Sequence, residues 1–347
     1  MAYPPAACSS LSNSTAVAHF YNGTVVDVAK VPATSEYKAL MVRLANAPSP
    51  TSPGRFAKWQ RWWNKQRGRP ATTDVGVLAL LLTNLKSATI KTLGPLHPAV
   101  DHIAITHPSI PALTPLDLAD ALSHAGLRSW FAEGDRIARA YQPKYAIQSR
   151  ATFAGNGHGL CASYVDLFEC WYENSNLPWH RVLFVSLTGH ALYASMEVMR
   201  DAYPRWTPEG PGFMDFQAGL DVQDGFASES NYWAHVRSRI VGLARANEVG
   251  QRPPGMVLLG GENGTNPVFL ETVRDAMAEL YPGEGLGPPL SIDATAVVDP
   301  TYAAARGMAV YARRRQEVPG HCKEGRECYE KRDKERSEGD EVKVELR

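Results

Sequence analysis

The run Pro254-Gly-Met-Val-Leu-Leu-Gly-Gly-Glu-Asn-Gly-Thr-Asn-Pro-Val-Phe-Leu-Glu-Thr-Val-Arg274 constrains the fold more than any other stretch of this chain. Met256 to Leu259 is a short, continuously apolar run, which reads as a buried strand. It stops at Gly260 and Gly261. From Pro267 an amphipathic helix is expected, with Val268, Leu270, Val273 and Met277 apolar and Glu271, Arg274 and Asp275 polar. A strand, a Gly-Gly turn and a helix in succession are a weak signal by themselves. Without a Cβ, such a turn lets backbone approach a flat or anionic ligand beside a positive helix end. Turn geometry and packing are the commoner reasons for Gly-Gly after a strand.

Composition sets wide bounds around that segment. The chain has 347 residues, enough for one large or two medium domains. Hydrophobic residues make up 44% and charged residues 21%, the profile of an ordinary globular protein. Formal net charge is zero, so no global field recruits nucleic acid or an anionic membrane. The longest apolar run, Val75 to Leu82, is far too short for a membrane span. The first residues carry no basic segment ahead of an apolar core, so no signal peptide is read and a cytoplasmic location is expected. Five scattered cysteines, Cys8, Cys161, Cys170, Cys322 and Cys328, argue against a disulfide framework and suit a reducing compartment. Cys322 and Cys328, near His321, read as unpaired thiols on a charged tail. The Asn-X-Ser/Thr triplets at Asn13, Asn22 and Asn263 read as chance.

Local signals place most elements. Residues 1–15 show no periodicity and are expected to be a disordered lead. Two β-prone runs around Asn22-Gly23 make a hairpin over residues 15–31. Residues 55–69 are basic and aromatic, with Trp59, Trp62 and Trp63 on one helical face. A membrane-surface helix or an anion-binding patch fits that pattern, but the expected use of the tryptophans is burial on the core. Thr72 or Thr73 can cap a helix reaching Gly94, and Thr114-Pro115 opens another that closes at Gly126. Between them, residues 100–108 form a strand whose His102 and His107 are read as structural, not metal ligands. Gly155 to Tyr164 is glycine-rich but fits no phosphate-binding fingerprint; it is expected to run into a helix ending near Trp171. Residues 181–199 read as a hairpin turning at Thr188-Gly189-His190, residues 203–231 as loop, and residues 231–248 as a helix. Asp299 to Ala312 is a small-residue helix suited to very close packing.

The order of these pieces resembles the nucleotide-binding domain of the heat-shock-70 family, in the actin-like ATPase superfamily, and in particular its divergent fungal members. Ile105-Thr-His-Pro-Ser and Ala125-Gly-Leu are similar to that family's strand and following helix. Residues 153–164 stand where the family has Glu-Pro-x-Ala-Ala-Ala, and Val182 to Val198 where it has its second phosphate hairpin. Leu258-Leu-Gly-Gly-Glu-Asn-Gly resembles the family's adenosine motif, and Asp299-Pro-Thr-Tyr-Ala-Ala-Ala-Arg-Gly its closing helix. The resemblance implies an α/β, ribonuclease H-like fold of two lobes of mixed sheet with flanking helices and reduced outer subdomains. The lobes are drawn at 16–175, with an incomplete first strand, and 176–315, followed by a charged tail at 316–347. It implies ATP or ADP, with magnesium as companion ion, held through Gly260, Gly261, Glu262, Thr188 and Gly189.

The departures from the family point away from catalysis. Leu11-Ser-Asn-Ser-Thr stands where the first phosphate loop has glycines and an acid. Ser186-Leu-Thr-Gly-His replaces Asp-Leu-Gly-Gly-Gly, and Asn156-Gly157 replaces the acid of the Glu-Pro motif. Phosphoryl transfer depends on backbone amides, carboxylate-held metal and a positioned water. No catalytic or metal-binding residue is therefore assigned, nucleotide binding is expected to be weak, and no client-binding domain follows residue 315. The expectation is a binding or regulatory module with a protein partner, not nucleic acid or membrane. Two alternatives stand beside it. One is an active ATPase using Asp27, Asp221 and Asp299; the other is an α/β hydrolase or thiol enzyme built on Cys161 with His158 or His190.

Overall fold

Three β-strands, not two, open the chain: β1 (Ala6–Ser9), β2 (Asn13–His19) and β3 (Val25–Pro32). The β2–β3 hairpin turns at Asn22-Gly23, where Gly23 has φ +88° and the Asn22 carboxamide accepts the Thr24 amide at 3.0 Å. From residue 6 on, β1 and the start of β2 correct the expectation of a disordered lead up to residue 15 and of an incomplete first strand; residues 1–5 lie outside the described residues. β1 lies at the centre of its sheet, antiparallel to β2 and parallel to the strand His102–His107, with Ala6 and Ala7 fully buried. Ala-Ala-Cys-Ser is too short and too small-chained to show periodicity. Pairing on both edges, not propensity, makes it a strand.

The computed structural model describes residues 6–48, 53–94, 100–130, 146–203, 210–246, 254–281 and 298–317. After β3 come α1 (Ser35–Asn46), α2 (Arg55–Gln66) and α3 (Thr73–Leu93). Next are β4 (His102–His107), α4 (Pro115–His124), β5 (Arg128–Ser129), β6 (Ala146–Ile147) and α5 (Gln148–Gly155). Then follow α6 (Leu167–Asn176), β7 (His180–Leu187), β8 (Leu192–Met199), β9 (Gly212–Asp215) and a 3-10 turn at Leu220–Gly225. The described chain ends with α7 (Glu229–Ala246), β10 (Met256–Gly260), α8 (Pro267–Leu280) and α9 (Ala303–Glu317). Of the two threonines that could cap α3, Thr72 does so; Thr114 caps α4 in a full capping box with Asp117, and Asn266 caps α8 ahead of Pro267.

The strands form two mixed sheets that share a strand order. In the first, β3-β2-β1-β4-β5, the first three strands are antiparallel and β4 joins β1 in parallel; β6 also pairs with β4. In the second, β9-β8-β7-β10, the same three-strand meander is followed by a parallel partner for its first strand. Helices α1, α3 and α4 bury Leu40, Leu78, Leu82 and Leu122 in the core on one face of the first sheet. Helices α7 and α8 cover the second sheet, where Leu183, Val185 and Leu259 meet Tyr232, Ile240 and Phe269. The opposite face of the second sheet presents Val182, Phe184 and Leu258 to the core that holds Phe153 of α5. Alternate residues of β7 and β10 thus point to opposite covered faces, which is why both strands read as unbroken apolar runs.

Helices α5 and α9 cross between the sheets at backbone contact. A Cβ on Gly155 would lie 1.9 Å from the Ala303 carbonyl oxygen, and one on Gly307 would lie 1.8 Å from that of Ala151. This close packing is what the small-residue run of α9 led one to expect. Its location is not: the segment drawn into the second lobe, 176–315, buries Ala304, Met308 and Ala312 against Ala6, Val17 and Ala104 of the first sheet.

Four further expectations are corrected. The glycine-rich segment 155–164 ends α5 instead of opening a helix; α6 begins only at Leu167. The loop 203–231 contains β9 and the 3-10 turn. Cys161 and Cys170, nine residues apart, form a disulfide, because the loop between α5 and α6 folds back on itself. The tryptophans of α2 are not on the core; no residue of that helix is buried. The expectations for Cys322, Cys328 and the tail beyond Glu317 lie outside the described residues.

Candidate functional site: three turns around one carboxylate

Because the two sheets share a topology, the β1–β2 turn and the β7–β8 turn occupy equivalent places. Each follows the first strand of its sheet. The segment after β10 joins them, and Glu262 is the residue that touches all three.

The β1–β2 turn, Ser10 to Asn13, is closed by side chains. The Ser10 hydroxyl donates to the Asn13 carbonyl at 2.9 Å and accepts the Asn13 amide at 3.1 Å. The Ser10 amide donates to the same carbonyl at 2.8 Å. Ser9 and Ser14 pair their hydroxyls at 2.8 Å, and the Tyr37 hydroxyl donates to the Ser10 carbonyl at 3.1 Å. Serine runs favour this local bonding to neighbouring backbone. All of Ser9 to Ser14 is buried, Leu11 included.

The β7–β8 turn is closed by Thr188. Its hydroxyl donates to the Ala191 carbonyl at 2.9 Å and accepts the Ala191 amide at 3.0 Å. The side chain is buried and fully engaged within its own turn. Gly189 points its amide out of the turn, 3.0 Å from the Glu262 carboxylate. A Cβ there would sit 2.6 Å from the Asp221 carboxylate, which is exposed and would have to swing aside. His190 beside it is held below the usual histidine range, first by burial and then by the Lys38 ammonium. It is therefore neutral at neutral pH.

After β10, Gly260 and Gly261 lie against β7. A Cβ on Gly260 would be 2.8 Å from the Phe184 ring; one on Gly261, at φ +83°, would be 2.2 Å from the Leu187 carbonyl oxygen. Their absent side chains make room for protein. Packing, the commoner cause of Gly-Gly after a strand, accounts for both residues.

The Glu262 carboxylate then reaches across. It accepts the Gly189 amide of the second sheet and the Asn13 carboxamide of the first, and Lys30 of β3 stands 3.7 Å away. Burial pushes its pKa upward, but the Gly189 amide, Ser12, Asn13 and Lys30 outweigh that and hold it below the usual carboxylate range. A second cross-sheet pair, Lys38 of α1 with Asp221 of the 3-10 turn at 3.8 Å, closes the same cleft further out.

Thr188, Gly189, Gly260, Gly261 and Glu262 are neighbours at the junction of the two sheets, but Thr188, Gly260 and Gly261 are buried in contacts with protein. The donors there do not suit a triphosphate as they stand. A phosphate needs unengaged amides or cations. Here the first turn closes on itself, and the donors that face the cleft already serve a carboxylate. The acids considered for an active ATPase do not converge either. Asp27 is held by both arms of Arg306 at 2.9 and 2.7 Å, and Asp299 accepts the Thr301 amide at 2.8 Å. No cluster of three potential metal ligands occurs among the described residues. The thiol reading is corrected by the Cys161–Cys170 bond. Cys8, the free cysteine among the described residues, is buried with its thiol pushed up to about 12.

Sequence reasoning missed Asn13, Lys30 and Lys38. The one available signal was the serine-rich run just ahead of the β-prone stretch that starts at Thr15, and it reads equally as linker. No helix of the described residues is long and apolar enough to cross a membrane. A scan against family models finds no match for this chain. A search of curated proteins finds none either.

Proposed function

We propose that this chain is an actin-like, heat-shock-70-like domain that has lost ATP turnover and serves as a binding or regulatory module, with ATP or ADP held weakly at most. The shared order of the two sheets, the paired turns at their junction and the crossing of α5 with α9 support a duplicated two-lobe architecture of this kind. The observation that carries the reading is the Glu262 carboxylate, bonded to donors from both lobes where an anionic phosphate would otherwise be held. A carboxylate there repels a triphosphate and supplies the negative charge that the donors need. The lobes are in effect bridged by the protein itself, which suits a part recognised in one fixed shape.

Titration calorimetry with ATP and magnesium tests this, alongside a turnover assay, on the full chain and on Glu262→Ala. The expected outcome is millimolar or weaker binding without turnover, with Glu262→Ala binding ATP more tightly. Steady magnesium-dependent hydrolysis by the unaltered chain overturns the reading.

A further inference from the structure

Helix α2 is mounted with its charged side inward. Arg61 bonds Asp117 at 2.8 Å and Asp120 at 2.7 Å, and Lys65 bonds Asp120 at 2.7 Å. Asn64 donates to the Ala71 carbonyl at 3.1 Å. Asp120 is buried beneath the helix, so these pairs fix which way it faces. The opposite face carries Phe56, Trp59, Trp62 and Trp63, which are 74%, 53%, 50% and 38% exposed. A helix that merely covered a core would be turned the other way round.

The aromatic face is ordered and surrounded by positive charge. Trp59 and Trp63 stack with centroids 5.9 Å apart and planes 10° from parallel; Phe56 and Trp62 continue the row at 6.0 Å. The Arg67 guanidinium lies over Trp63 at 4.5 Å. Between Pro53 and Thr73 there is no acidic residue. With Arg61 and Lys65 engaged inward, Arg55, Lys58, Arg67 and Arg69 remain exposed. Zero net charge over the whole chain therefore conceals a local cationic field.

We propose that α2 docks this protein reversibly on an anionic phospholipid bilayer. Exposed tryptophans among arginines and lysines suit the headgroup boundary, where the rings sit at the interface and the cations meet acidic lipids. At 12 residues the helix is about 18 Å long, so it lies along the surface and does not cross it. Trp59 and Trp63 lie parallel beside one another and Arg67 covers one face of Trp63, so part of the stacking surface is already taken. That disfavours base stacking and so a single-stranded nucleic acid. The groove between α2 and α3 is lined by Ala57, Gln60, Arg61 and Asn64, so the aromatic row lies outside it and is free to meet a flat surface. This inference is independent of the proposed nucleotide chemistry.

Flotation of the full chain with vesicles tests it. Binding is expected to vesicles containing phosphatidylserine, with a blue shift in tryptophan emission, and not to pure phosphatidylcholine; salt is expected to weaken it. Removing one exposed cation, in Lys58→Ala or Arg55→Ala, should weaken binding by about fivefold. The combined Trp59→Ala, Trp62→Ala and Trp63→Ala variant should lose roughly tenfold or more, with its thermal midpoint kept because these rings are exposed. Failure to bind anionic vesicles overturns the proposal. So does undiminished binding by the tryptophan variant. Binding to oligonucleotides, or concentration-dependent self-association, without vesicle binding also overturns it and identifies the other kind of partner.

Discussion

The two sheets repeat one topology, yet their first turns are built on opposite principles. In the first sheet the β1–β2 turn is buried and closes on its own serines, with the Ser10 hydroxyl bonded to both the amide and the carbonyl of Asn13. In the second, the β7–β8 turn is closed by Thr188, and the Gly189 amide is directed outward to Glu262. Strand order comes from pairing and apolar burial on the strands. Anion binding comes from which donors a turn leaves free. Two sheets can therefore share a strand order while their turns leave different donors free, because different residues carry the two properties. Glu262 stands between the two: its carboxylate accepts the Gly189 backbone amide of the second turn and the Asn13 side chain of the first, and so ties the halves together.

The largest effect should come from breaking the joint common to both halves. Gly307→Leu places a side chain where the Ala151 carbonyl oxygen leaves only 1.8 Å for a Cβ. Separation of α5 from α9 should cost more than about 4 kcal/mol, seen as loss of a cooperative thermal transition. Gly157→Ala, at φ +81° with open space around it, should cost only about 1 kcal/mol and serves as the control.

Next comes the carboxylate. Glu262→Gln should cost about 1–3 kcal/mol by denaturant titration, since a charged acceptor of several bonds becomes neutral. Its pH dependence has a definite sign. The folded pKa lies below the ordinary range, so the stabilisation is complete above the unfolded value of ~4.3 and is lost as pH falls through the folded one. The variant should therefore show a flatter acid limb. An unchanged limb means that Glu262 does not bridge the lobes in solution.

The smallest effect sharpens the contrast between the turns. Ser10→Ala removes the hydroxyl that closes the first turn and should lower stability by about 1–2 kcal/mol. It should leave the acid limb set by Glu262 in place. If that limb moves, the first turn is not self-sufficient and the comparison fails.

Much of the fold was legible because its signals are local. Asn22-Gly23 marks a hairpin by backbone sterics, Thr72 and Thr114 cap helices through their own hydroxyls, and Met256 to Gly260 is apolar on every residue because both of its faces are covered. The grouping of Gly189 with Gly261 and Glu262 was legible only through resemblance. Their separation in the chain is long, and no local rule links them. The inward mounting of α2 escaped the sequence reading for a definite reason: the pattern shows two faces and not which one has a partner. Asp117 and Asp120, on another helix, decide that.

By itself the sequence determined the α/β character, the helix caps, the β2–β3 hairpin and the closeness with which α9 can pack. These follow from side-chain size, periodicity and steric limits within a few residues. Only the tertiary structure decided that Ala6–Ser9 is a central strand, that α9 belongs to the first sheet, that Cys161 bonds Cys170 and that Glu262 stands between the lobes. Each depends on partners distant in sequence or brought round by a folded loop, whose pairing, burial and charge exist only once the chain has closed.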